Sequence, residues 1–153
     1  MGELSHSENE RSGRVLAVDP GKARVGVALS DELRILASPL GVLDGSDRLR
    51  LVARVKQLVL ENEVKRVLVG LPLHMSGEAG GSATRAQDLA QRIADATGLE
   101  VELVDERLTT VEATRKSREA PGKRSKKAAA PIDDKAACVL LQSWLDRRPS
   151  SLV

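Results

Sequence analysis

The sequence predicts an α/β fold, a mixed five-stranded sheet of three antiparallel strands and then parallel ones, flanked by helices. Three observations predict it. Apolar runs at the front of the chain are short and separated by Pro, Gly and polar residues, as in hairpin-linked strands. From Asp47 onward the apolar period lengthens to that of a helix, and helical and strand patterns then alternate, as in crossover connections. At 153 residues, with 41% hydrophobic and 30% charged residues, the chain is long enough for one substantial core.

Taken in order, Val15–Val18 and Arg24–Leu29 read as adjacent strands joined by a tight turn at Pro20-Gly21. Ile35–Val42 reads as a third strand, which Pro39 pushes toward a sheet edge because proline cannot donate to a ladder. Between Asp47 and Asn62, Leu51, Val52, Val55, Leu58 and Val59 recur at helical spacing, and Asp47 lies where a first turn favours an acid. The run "VKRVLVGLP" is typical of a strand buried on both faces. Ser82–Thr97 puts Ala83, Ala86, Leu89, Ala90, Ile93 and Ala94 on one helical stripe, with Gly98 as its stop. "LEVELVDE" is another strand, a helix starts near Thr109, and the last helix runs from about Asp133 to Asp146. A single domain is expected over residues 14–147, with residues 1–13 and 148–153 as tails.

Composition excludes several functions. Phe and Tyr are absent and Trp144 is the only aromatic, so the core is aliphatic and the chain lacks the platforms that hold single strands by base stacking. The lone Cys138 can form neither an internal disulfide nor a multi-thiolate zinc site, and its setting "KAACVLLQ" reads as core packing. No apolar stretch approaches the roughly 20 residues of a membrane span. The polar N-terminus "MGELSHSENERSG" lacks the apolar segment of a secretion signal, so a cytoplasmic protein is expected. His6 lies in the tail, and no Ser-His-Asp or Cys-His arrangement suggests a side-chain nucleophile. The net charge of +2 announces no polyanionic partner, but seven cations between Arg115 and Lys127 are opposed only by Glu119. That run, with Lys123 and Arg124 at its centre, reads either as a solvated loop or as a patch facing phosphate.

Acids fall where sheet architectures gather ligands. Asp19 ends the first strand, Asp105 and Glu106 end the last, and Asp133 and Asp134 open the final helix. Each has a plain alternative. Asp19-Pro-Gly is good turn chemistry, Thr109 with Glu112 forms a capping box behind two solvated acids, and either Asp133 or Asp134 suits an N-cap. On a helical wheel Asp133 shares the inward stripe of Ala137, Leu140 and Trp144, whereas Asp134 lies with Cys138, Leu141 and Leu145 nearer its margin. If Asp19 and Glu106 terminate neighbouring strands, three carboxylates converge, and their repulsion calls for a hard divalent ion such as Mg²⁺ or Mn²⁺. Two such ions form the usual device for hydrolysing phosphodiesters.

The blocks "VLAVDPGKARVGVALSD", "VLVGLPLHMSGEAGGSA", "VELVDERLTTVEA" and "PIDDKAACVLLQSWLD" resemble, in order, the four blocks of the bacterial YqgF (RuvX) family. The resemblance spans Arg14 to Asp146 and implies an RNase H-like fold related to Holliday junction resolvases. It further implies a nuclease that matures the 5′ end of pre-16S rRNA during assembly of the small ribosomal subunit. Matched by motif, its metal and catalytic carboxylates are Asp19, Glu106 and Asp133. The chain departs from the family's G-L-P-L-N block at His74, which stands where Asn is common. Substrate contacts are expected from Lys22, Arg24, His74, Arg107, Lys123 and Arg124, while Gly77, Gly80 and Gly81 lead into a helix start that can receive a phosphate. Asp31 and Asp105 are candidates for a supporting role.

The expected function is therefore a metal-dependent nuclease acting on structured RNA, with branched DNA as the alternative substrate and either a monomer or a homodimer as the active form. A non-catalytic assembly factor that binds rRNA or ribosomal protein is the competing class.

Overall fold

The first two apolar runs fold back on each other as the antiparallel pair β1 (Arg14–Pro20) and β2 (Arg24–Ser30), and β3 (Ala37–Asp44) pairs antiparallel with β2. The chain crosses through α1 (Arg48–Glu61) to β4 (Val64–Leu71), which lies parallel to β1. It crosses again through α2 (Gly81–Thr97) to β5 (Val101–Asp105), parallel to β4, and α3 (Asp133–Arg147) follows. The strand order β3-β2-β1-β4-β5 is the mixed sheet that the pattern predicts. This computed structural model describes residues 12–21, 23–72, 81–106 and 133–147, with backbone alone at 81, 82, 133 and 134. No helix among them is long and apolar enough to cross a membrane.

Strand alternation divides the core into two layers. On one face, Leu16, Val18, Val67 and Val69 meet Leu51, Val55 and Leu58 of α1 and Leu89 and Ile93 of α2. On the other, Val15, Ala17, Ala28 and Leu68 meet Ala137, Cys138, Leu140, Leu141 and Leu145 of α3. Covered on both sides, β1 and β4 carry continuous apolar runs instead of alternating ones. Cys138 is packing, as its setting predicts. Asp47 caps α1 by accepting the Arg50 N–H at 3.2 Å, and Gly98, at φ 76°, stops α2 by donating its N–H to the Ala94 carbonyl at 2.8 Å.

The third strand starts two residues later than expected. Asp31 Oδ1 accepts the N–H groups of Ile35 and Leu36 at 2.8 and 2.9 Å, behind a turn closed by the Arg34 N–H donating to the Asp31 carbonyl at 3.1 Å, which keeps those two residues out of the ladder. The edge position that Pro39 predicts is correct, and the ladder slips there: Val27 pairs with Gly41 and Ala28 with Pro39, leaving Leu40 as a bulge.

Gln142 sets the placement of α3. Fully buried, it accepts the Ala37 N–H at 2.9 Å and donates to the Ile35 carbonyl at 3.0 Å, so the helix is tied to the start of β3. Farther along the same helix, Trp144 Nε1 donates to Glu102 at 3.3 Å, and the Arg66 guanidinium lies 5.9 Å from the indole centroid. Those partners belong to the amino-terminal parts of β5 and β4. The end of α3 therefore lies over the starts of these strands, and the helix begins, at Asp133, on the side of their carboxyl ends.

Candidate active site

The β1–β2 ladder continues past the residue where the sequence ends the first strand. Asp19 pairs with Gly26 and Pro20 with Val25, and the turn lies beyond, closed by the Gly21 N–H donating to the Arg24 carbonyl at 2.9 Å. Asp19 is thus a ladder residue and not the turn-former. By alternation its side chain shares the face of Val15 and Ala17, the face covered by α3. Gly70 shares that face with Leu68 on β4, and Glu106 shares it with Val104 at the end of β5. The register that pairs Val18 with Val69 and Gly70 with Val104 sets the three side by side at the carboxyl ends of adjacent strands.

Gly70 is the center of this arrangement. A Cβ there would lie 2.7 Å from Glu106 Oε2 and 3.2 Å from Asp19 Oδ1, closer than a real side chain tolerates in the first case. Both oxygens lie within those distances of one point, so they are at most about 6 Å apart, close enough for their negative charges to repel and for one cation to lie between them. Asp19 and Glu106 are each half-buried, which weakens the screening of that repulsion by water. Two carboxylates converging on a space kept open by a missing Cβ suit a hard divalent cation with oxygen ligands. The signal was present in the sequence, as an isolated glycine in a buried strand marks a close approach, but the sequence reading did not single it out.

The third expected acid, Asp133, opens α3 on the same side of the sheet. Helical position does not separate Asp133 from Asp134. Cys138, Leu141 and Leu145, on the stripe of Asp134, are 2%, 0% and 6% exposed, while Trp144 on the stripe of Asp133 is half-buried. A helix seated on a sheet buries a band wide enough for both stripes. The side chains of Asp133 and Asp134 lie outside what is described, and among the described residues no group of three or more His, Cys, Asp or Glu is set to hold a metal.

Arg24 opens β2 as an exposed residue, and alternation with Gly26 and Ala28 puts it on the face of Asp19. Lys22, His74, Arg107, Lys123 and Arg124 lie outside the described residues, as do Gly77, Gly80 and the helix expected near Thr109. Neither supporting acid joins the pair. Asp31 holds the turn at the opposite end of the sheet, and Asp105, out of phase with Glu106, takes the face of Val101 and Leu103. Trp144 also lies at the far end, over Arg66, and offers no stacking platform here.

Residues 13–147 match the family model of RuvX, described as Holliday junction resolvase. Relatives bearing the name "Putative pre-16S rRNA nuclease" include one from Anaeromyxobacter sp., 43% identical over 88% of this chain and 98% of its own. One from Mycobacterium leprae is 42% identical over 95% of this chain and 79% of its own, and one from Chloroflexus aurantiacus 42% over 90% and 89%. Among solved structures, Thermus thermophilus RuvC in complex with Holliday junction substrate superposes with a TM-score of 0.62 at 17% identity, covering 86% of this chain and 91% of that one. A second Thermus thermophilus RuvC structure gives 0.61. The fold is RNase H-like.

Proposed function

The chain belongs to the RuvX family, and on that premise we propose that it is a metal-dependent nuclease that hydrolyses phosphodiesters of structured nucleic acid, in the first place at the 5′ end of pre-16S rRNA. The observation that carries the proposal is the pair Asp19 and Glu106 facing one space across Gly70. In this reading Asp19, Glu106 and Asp133 are the ligands of Mg²⁺ or Mn²⁺. Two such ions, when bound, supply the positive charge that offsets the phosphodiester and lower the pKa of the attacking water. Gly70 keeps the space between the carboxylates clear, and the half-burial of both acids limits competing water. Arg24, on the same face, pairs with a phosphate of the bound strand, and Lys22, His74, Arg107, Lys123 and Arg124 extend that contact along the backbone. A chain without Phe or Tyr recognises its substrate by backbone charge and shape, which suits duplex ends and junctions. Within the cytoplasm the small ribosomal subunit is then the natural setting, with the protein as monomer or homodimer. The description of the family favours branched DNA as the second substrate.

Calorimetric titration of Mn²⁺ into the wild type and Asp19→Asn, followed by assays on an rRNA-precursor duplex end and a four-way DNA junction, tests this reading. Metal binding and cleavage lost together in Asp19→Asn, with nucleic-acid binding kept, is the expected result. A wild type that binds no metal even with RNA present sinks the nuclease and leaves a binding protein. Which substrate is cleaved decides between RNA and branched DNA.

A further inference from the structure

A groove of about 180 Å³ opens at the same end of the sheet as Asp19, but on the opposite face. Its floor is aliphatic: Val25, Leu51 and Leu89, each buried in the core between sheet and helices. One wall is nearly bare backbone, Gly21 and Gly45, with Gly45 held to the β1–β2 turn by its N–H donating to the Ala23 carbonyl at 2.9 Å. Two arginines line the groove, Arg48 as the first residue of α1 and Arg85 from near the start of α2. Arg48 is held across the gap between the helices by Asp88, which also takes Arg92 Nε at 3.0 Å. No carboxylate belongs to the described lining, which carries the two cationic residues Arg48 and Arg85, while Asp47 at the α1 N-cap and Asp88 against Arg48 stand beside it.

Resting on the nuclease reading, we propose that this groove holds the nucleotide next to the one whose phosphodiester meets Asp19 and Glu106. The two sites share a strand end: Asp19 faces the α3 layer, and the next residue, Pro20, lines the groove. A nucleic-acid strand passing over the β1–β2 turn therefore touches both. The aliphatic floor takes the sugar and base, and the guanidiniums take the phosphate and present planar faces on which a base stacks. This gives a chain without Phe or Tyr, and with Trp144 at the far end, a way to grip one splayed nucleotide. A groove of about 180 Å³ is too small to take a duplex.

The test has two readouts. In an NMR titration of the metal-free full chain with uridine 5′-monophosphate, the amides of Gly21, Gly45 and Arg85 shift in the wild type. Arg85→Ala weakens that binding about tenfold, the worth of one charge-assisted phosphate contact. Arg85→Lys restores part of it, and Arg54→Ala, on the exposed side of α1, leaves it unchanged. In cleavage assays Arg85→Ala raises KM about tenfold and lowers kcat by less than about threefold, as for a contact made equally in ground and transition states. Cleavage by the wild type, with no nucleotide shift at the groove and an unchanged KM in Arg85→Ala, overturns the groove alone. Nucleotide binding at the groove in a wild type that cleaves nothing supports the groove and removes the nuclease reading.

Discussion

Both ends of the sheet carry charged and polar side chains, and they use them in opposite ways. Where β2 runs toward β3, Asp31, Arg34 and Ser30 meet backbone partners of the complementary sense. Asp31 accepts the N–H groups of Ile35 and Leu36. Arg34, only 3% exposed, donates to the carbonyls of Gly13 and Ser12 at 2.7 and 2.8 Å, and Ser30 Oγ accepts the Val15 N–H at 2.9 Å. Gln142 completes the set from α3. At the other end, Asp19 and Glu106 turn their oxygens toward the same point across Gly70. An acid at a strand terminus means little by itself. At the scaffold end the acid's oxygen holds two backbone N–H groups, and at the site end two carboxylates share one open space.

The comparison breaks most sharply at Gly70. Gly70→Ala puts a methyl group where the two carboxylates converge, and the nearest atom that must move is the tip of the Glu106 side chain. The fold should tolerate that shift while cleavage and Mn²⁺ affinity fall about a hundredfold, measured beside a melting curve. Unchanged cleavage would mean that the space across Gly70 is not the site. At the scaffold end the expected effects are on stability. Gln142→Leu leaves the buried Ala37 N–H and the Ile35 carbonyl without their side-chain partner, and should cost about 3 kcal/mol and about 10 °C in Tm. Its kcat well below Tm should remain near that of the wild type, and a loss of activity without a loss of stability would erase the distinction between the ends.

Asp31→Ala removes two exposed hydrogen bonds and should cost about 1 to 2 kcal/mol in denaturant unfolding. Metal affinity should stay at the wild-type value, in contrast to Asp19→Asn. The smallest effect is expected at Asp44, whose carboxyl is held below its ordinary value by the Ser46 N–H at 2.9 Å and then by the Ser46 hydroxyl at 2.8 Å. With its folded pKa depressed, this group adds stability that is fully present above about pH 4 and is lost as the pH falls through the folded value. Ser46→Ala should therefore differ from wild type at pH 6, and the difference should narrow as the pH falls through the depressed folded value, as chemical unfolding over a descending pH series will read.

Much of the molecule was legible along the chain. Period and punctuation located the five strands and three helices that the structure describes, and Pro39 placed β3 on an edge. These signals are local, since each rests on residues a few positions apart, within reach of one helical turn or one pleat. The resemblance between the four motif blocks and the family likewise lay in the sequence, and the match over residues 13–147 bears it out.

What the sequence alone determined, then, is which elements form, in what order, and which acids stand at their ends. Which of those acids face each other was a tertiary decision. Asp105 and Glu106 are neighbours along the chain, yet alternation against β4, through the pairings Gly70–Val104 and Leu71–Asp105, sends only Glu106 to the face of Asp19. The importance of Gly70 and the hold of Gln142 on β3 likewise depend on residues brought together across the sheet, with 105 positions separating Gln142 from Ala37. Register between distant strands carries no periodic signature within either one, so only the assembled sheet could set it.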